Sequence, residues 1–175
     1  MRFLQRRGGV PAEALARADL PRGEKVLAHA VAAGDSWLLG TRRLLAVVGP
    51  AGPMHIPWER IEDAAWDQES SRLQITEIGS YGEKRPAHSF EVEQDPAPFL
   101  QLLRERVTAS IVLQRRVPVR GKLGLTVIGR RSPIGGPVAW MHAYDPGLDP
   151  YDPEVVAVAD QALAGARSEV GSEDG

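Results

Sequence analysis

Between residues 24 and 93, apolar and polar residues alternate in short stretches with a period of two, which places every second side chain on one face of a strand. In 61–67, Ile61, Asp63, Ala65 and Asp67 fall on one face and Glu62, Ala64 and Trp66 on the other. Leu73 and Ile75 alternate with Gln74 and Thr76, and Phe90 and Val92 with Ser89, Glu91 and Glu93. Val26, Ala28, Ala30 and Ala32 share a face in 24–32, though alanine is a poor strand former. Residues 44–48, LLAVV, are apolar throughout and too few for a free-standing helix, so they read as a buried strand. Turn residues separate these stretches: Gly34-Asp35, Gly40-Thr41-Arg42-Arg43, Gly49-Pro50, the polar 68–71 and the loop 79–87.

Asp95-Pro96 changes the period. Aspartate caps a helix with its carboxylate, and proline takes the first turn, where its missing N–H costs nothing. Leu100, Leu103, Val107 and Ile111 follow at helical spacing, widened by Phe99 and Leu102, with Arg104, Glu105 and Arg106 opposite. This helix must end between Ser110 and Pro118. Strands followed by one helix predict an antiparallel sheet system closed by a helix, not a parallel βαβ sheet. Further on, 122–128 and 138–144 alternate as a hairpin around the turn-rich 130–137. Asp152-Pro153 then repeats the helix start before the stripe Val155, Val158, Ala159, Ala162, Leu163 and Ala166. The expected organisation is a peripheral arm over 1–22 with a short helix after Pro11, a domain over 23–113, a hairpin-and-helix extension over 114–168 packed on that domain, and a frayed tail over 169–175. The fold class is α+β, mainly β.

Composition narrows the function classes. The 175 residues are 43% hydrophobic and 25% charged with a formal net charge of −2, so no overall charge draws the chain to nucleic acid or acidic membranes. Cysteine is absent, which removes disulfides, thiol nucleophiles and cysteine zinc sites. The N-terminus has no uninterrupted apolar stretch of the kind a signal peptide carries, and no apolar run approaches the ~20 residues needed to span a bilayer. A cytoplasmic location is the expectation.

Charge distribution is more informative than its sum. No acid occurs from residue 106 to residue 144, where Arg106, Arg115, Arg116, Arg120, Lys122, Arg130 and Arg131 all lie. After it, Asp145, Asp149, Asp152, Glu154, Asp160, Glu169, Glu173 and Asp174 face only Arg167. Arg115, Arg116, Arg120, Lys122, Arg130 and Arg131 are therefore candidate contacts for an anion or a partner. The acidic segment can instead pack on them and neutralise them within the molecule or between subunits, and the pattern favours that. Trp140 and Tyr144 alternate as one sheet face beside Arg130 and Arg131. They suit base stacking, but an apolar face reads first as core or interface, so they are the candidate interface residues. Arg2, Arg6 and Arg7 offer a basic N-terminal arm, though a partly ordered terminus is the plainer reading. Arg42 and Arg43 sit in a hairpin turn, where pairing with a carboxylate is the plainer reading than an anion contact.

Catalytic and metal-binding patterns are missing. His29, His55, His88 and His142 lie far apart, each in a strand, with no His, Asp or Glu at ligand spacing. Glu59, Glu62, Asp63 and Asp67 are neighbours, yet alternation divides them between faces. No G-x-S-x-G frames a serine, and the glycine-rich pieces lack the lysine of a phosphate loop. No catalytic residue, cofactor or metal is expected.

Residues 37–67 carry the one family resemblance. Trp37-Leu38-Leu39-Gly40-Thr41-Arg42-Arg43-Leu44-Leu45 and Ile56-Pro57-Trp58-Glu59-Arg60-Ile61 resemble the strand, Thr-x-Arg and I-P-aromatic-x-x-I steps of the bacterial pleckstrin-homology-like domains and their GRAM-like relatives. The resemblance covers about residues 24–113. It implies a bent antiparallel barrel of about seven strands capped by one C-terminal helix. Residues 114–175 depart from it, as an extension or a dimerisation element. Relatives that bind phosphoinositides place Lys and Arg in the first strand–strand loop. The loop here, 32–36, has no base and one acid, so phosphoinositide binding there is not expected. The expected function is a non-enzymatic cytoplasmic binding or scaffold module acting through protein contacts, self-association among them, with 122–168 as the interface region. Peripheral binding of anionic lipid or nucleic acid through the basic 115–131 segment is the alternative. A small-molecule sensor or enzyme using the barrel mouth comes third.

Overall fold

The computed structural model describes residues 9–171. Arg2, Arg6, Arg7, Glu173 and Asp174 lie outside them. The chain divides after Thr108 into two compact units. The fold is α+β and mainly β, with three antiparallel sheets and three α-helices among the described residues.

In the first unit, α1 (Ala12–Arg17) precedes β1 (Ala28–Ala32), β2 (Ser36–Gly40), β3 (Leu44–Gly49) and β4 (Gly52–Pro57), which pair in chain order as one sheet. A single 3-10 turn at Trp58–Arg60 leads to β5 (Ile61–Asp67), β6 (Arg72–Glu77) and β7 (Ala87–Glu91), a second meander, and then to α2 (Ala97–Ala109). Pro57 ends β4 because it has no N–H for a further ladder bond. A register shift between Ile61 and Asp63 bends the start of β5. Among the described residues no sheet closes on itself. The single barrel wall expected of 23–113 is instead two separate ladders, which approach at one corner where Ala32 bridges Val92. Leu38, Leu45 and Ile56 of the first sheet share a core with Leu73 and Ile75 of the second and Phe99 of α2.

The outer face of the first sheet explains why 44–48 is apolar on every residue. Leu45 and Val47 point to that core, whereas Leu44, Ala46 and Val48 pack with Leu39 against Ala18. Residues 11–20, read as a peripheral arm, therefore cover a sheet face. Ala18 is fully buried, the His55 imidazole Nε2 lies 2.7 Å from its carbonyl, and Arg17 donates to the Gly49 carbonyl at 3.0 Å. A sheet face of four apolar side chains left in water would be costly, and the segment at α1 covers it.

The second unit holds β8 (Ile111–Arg120), β9 (Leu123–Arg130), β10 (Ala139–Tyr144) and α3 (Pro153–Gly171), with sheet order β10-β9-β8. The expected hairpin is there as β9 and β10, and β8 adds a third strand to it. The helix stops at Ala109, and Ile111, assigned to its stripe, starts a ten-residue strand. The extension thus begins before residue 114. Pro118, which ends no helix here, sits on an edge strand beside a register shift between Pro118 and Arg120, where a missing N–H is tolerated. Gly121, at φ +55°, makes the tight turn into β9. Asp95 Oδ1 accepts from Ala97 N at 3.0 Å and Asp152 Oδ1 from Glu154 N at 2.9 Å, the caps expected for α2 and α3. The helix α3 lies along β8 and β9, burying Val155, Ala159 and Ala166 against Leu125 and Val127.

Candidate functional site

The basic segment is the first candidate. Alternation along β8 sends Arg115 and Arg116 to opposite faces. Arg116 grips Asp145, just past β10, with Nη1 to Oδ1 at 2.9 Å and Nη2 to Oδ2 at 2.5 Å. Asp145 Oδ2 also accepts from Gly124 N at 2.9 Å. These hydrogen bonds, that from Arg116 first, hold the Asp145 carboxyl down at about 2. Arg120 donates Nε to Glu154 Oε2 at 2.8 Å and Nη2 to Asp152 Oδ2 at 3.0 Å, which lowers the Asp152 pKa and raises that of Arg120. Arg115 pairs with Glu169 near the end of α3.

Arg130 is buried in the sheet and donates Nη1 to Ser110 Oγ at 3.1 Å, while Arg131 N donates to the Ser110 carbonyl at 2.9 Å. Lys122 is exposed in the β8–β9 turn, and its carbonyl accepts from Arg116. Three of the six candidate cations are therefore matched to acids of residues 145–169 in the same unit, and a fourth is inside the sheet.

Trp140, His142 and Tyr144 share the face of β10 that carries Leu125 and Val127 on the neighbouring strand, and all three are half-buried. The Trp140 ring lies on Gly129, where an added Cβ would stand 2.8 Å from Cζ3. Burial first, then the Asp160 charge, pushes the Tyr144 hydroxyl up. The His142 imidazole Nε2 is 3.2 Å from the Ala159 carbonyl. Trp140 and Tyr144 thus contribute to the second core and keep part of their surface open.

The remaining histidines stay apart. His29 packs near the Trp37 ring, His55 meets Ala18, and His88 Nε2 lies 2.8 Å from Glu77 Oε2. Among the described residues no group of three or more His, Asp or Glu could hold a metal ion. Arg43 Nε lies 3.2 Å from Glu24 Oε1, whose side chain is 2% exposed, so this arginine pairs with a carboxylate. Arg42 is exposed.

A groove absent from the sequence reading runs between β5 and α2. It encloses about 390 Å³. Ala64, Trp66, Leu100 and Val107 give it apolar walls, and Glu62, Asp63 and Arg104 stand at its polar parts. Arg85 Nη1 lies 3.1 Å from Glu62 Oε2. Among the described residues β5 is an edge strand of its sheet, so the groove borders a ladder that no described strand extends. Both faces were visible in the sequence, Glu62–Ala64–Trp66 at period two and Leu100–Leu103–Val107 at helical spacing. Their opposition across a groove was not, because periodicity carries no tertiary pairing. Comparison of the chain with protein-family models, with curated proteins and with solved structures finds no match.

Proposed function

We propose that this chain is a non-enzymatic cytoplasmic module that works by binding protein. The observation that carries the reading is the groove beside β5: an edge strand able to accept an added strand, next to apolar walls that can take alternate side chains of an extended peptide. Its charged residues are of both signs, Glu62 and Asp63 with Arg104, which suits a polypeptide better than a uniformly charged polymer. We infer a pleckstrin-homology-like plan for residues 24–113. The four-plus-three strand order, the shared core, the corner at Ala32 and Val92, and the closing helix all support it. In this plan Thr41 and Trp58 act as structural residues of the motif stretch.

Pairing of Arg115, Arg116 and Arg120 with carboxylates weighs against the anionic lipid or nucleic acid alternative, since a polyanion would have to displace acids already in place. No described helix is long and apolar enough to cross a membrane. The test is capture from cell extract at about 150 mM salt, where exposed charge contacts are screened over about 8 Å. Wild type should retain a discrete protein that Val107→Glu, at the groove wall, loses. Retention of anionic vesicles or nucleic acid instead, with no protein, would replace this reading by the alternative.

A further inference from the structure

The two edges of the sheet in the second unit differ in kind. β8 carries Arg115, Arg116 and Arg120, a proline and a register shift, all of which blunt an edge against pairing. β10 reads AWMHAY, with no charge, no proline and an unbroken register with β9. Pro137 and Pro146 bracket it. The helix α3 covers β8 and β9, leaving Trp140 and Tyr144 only half-buried at the margin of the core. An uncharged edge strand with aromatic residues at its flank is a template for another strand.

We propose that β10 is a self-association edge, pairing antiparallel with β10 of a second copy and joining the two three-stranded sheets into one. A two-fold interface needs a surface complementary to itself. With the axis through His142, Trp140 of each copy stands opposite Tyr144 of the other, and Met141 opposite Ala143. Aromatic pairs opposite each other on one sheet face are favourable cross-strand neighbours. No Asp, Glu, Lys or Arg of one copy meets its like in the other, because the strand has none. The inference goes beyond the groove reading by naming the partner of a second surface.

Because the full chain has no cysteine, single-cysteine variants report proximity without background. Under mild oxidation His142→Cys should form a disulfide-linked dimer, since directly opposed strand residues have Cα atoms about 4.5–5.5 Å apart, within disulfide range. Gln114→Cys, on the β8 edge, should stay monomeric. A mixture of Met141→Cys and Ala143→Cys, which leaves His142 in place, should give the mixed dimer in preference to either like pair. Sedimentation equilibrium of wild type should show a monomer–dimer equilibrium that Ala143→Lys weakens about tenfold or more. A wild type monomeric up to its solubility limit overturns the proposal. So does a dimer that ignores Ala143→Lys and yields no β10 cross-link, including one that forms through another surface. A monomeric chain that still captures a Val107-dependent partner sinks this proposal and leaves the groove reading standing. A β10-linked dimer that captures nothing does the reverse.

Discussion

The indole Nε1 of Trp58 donates to the main-chain carbonyl of Thr41 at 3.0 Å, joining the two halves of the motif stretch across 17 residues of chain. Both residues are fully buried. Thr41 Oγ1 in turn donates to the Leu44 carbonyl at 3.1 Å and accepts from the Arg43 and Leu44 amides. The turn between β2 and β3 is thereby pinned to the 3-10 turn that leads the chain from the first sheet to the second. Trp58→Phe keeps most of the volume but strips the Thr41 carbonyl of its donor, and should cost about 1–3 kcal/mol. Trp58→Ala also leaves a cavity and should cost about 3–5 kcal/mol. Thr41→Val should fall in the first range, with Thr41→Ser closer to wild type. Urea unfolding of the four variants measures the order, and a Trp58→Phe as stable as wild type would show the hydrogen bond to be dispensable.

Thr41 and Trp58 also show what the sequence made legible. Period-two alternation located each strand from β5 to β7, and Asp-Pro located both long helices, because those signals are local. The 44–48 run was legible as buried, but what buries its second face, Ala18 at the end of α1, lies 26 residues from Leu44 and leaves no periodic trace. β8 was missed for a different reason. Ile111 continues the helical stripe of α2 by spacing alone, and Pro118 argues against a strand unless the strand is an edge with a bulge. Edge status is a property of the sheet, not of the segment. The charge asymmetry was plain in the sequence, and the favoured internal pairing matches what Arg115, Arg116 and Arg120 do. Which acid meets which arginine depended on β8, the strand that was not seen.

The Arg116–Asp145 pair gives a pH signature. Asp145 has a carboxyl depressed from 3.8 to about 2 by the Arg116 and Gly124 hydrogen bonds. A folded-state value below the unfolded one contributes stability that is fully present above the unfolded value and is lost as pH falls through the folded value. Asp145→Asn should therefore melt a few degrees below wild type at about pH 7, a modest gap because the pair is solvent-facing. The gap should close between about pH 4 and about pH 2. Thermal melts across that range check it. A gap that persists unchanged at the acid end would assign the loss to the Gly124 contact or to packing, not to charge.

Two glycines of β9 should respond differently to alanine. A Cβ on Gly124 would lie 2.5 Å from the Val117 carbonyl oxygen, a backbone atom held in the β8–β9 ladder. The three atoms nearest a Cβ on Gly129 would all belong to the Trp140 ring, the closest being Cζ3 at 2.8 Å. That ring is half-buried and can turn aside, whereas the carbonyl cannot move without breaking the register. Gly124→Ala should cost about 3 kcal/mol or more and Gly129→Ala nearer 1 kcal/mol. Hydrogen exchange adds a spatial readout: Gly124→Ala should expose the amides of β8, and Gly129→Ala should leave them protected. Equal costs, with β8 protected in both, would mean that the strands part easily at Gly124.

Neutralisation of β8 by the acids that follow it predicts a gain of binding on their removal. Arg115, Arg116 and Arg120 lie on one strand and meet Glu169, Asp145, Asp152 and Glu154. In wild type these cations already have close counter-charges, so a polyanion gains little by approaching them. Replacing the four acids by their amides, Asp145→Asn, Asp152→Asn, Glu154→Gln and Glu169→Gln, keeps shape and leaves the arginines without ionic partners. Wild type should pass through a heparin column at about 50 mM salt, and the amide variant should bind and elute as salt rises. Phosphate contacts give a steep negative salt dependence, of roughly 0.9 log units per contact per decade of salt on duplex DNA. Three released arginines would therefore show as a slope near three in a duplex-DNA titration of the variant. Strong retention of wild type itself would mean that a polyanion displaces the acids unaided, and the basic strand would become the binding surface in place of the groove beside β5.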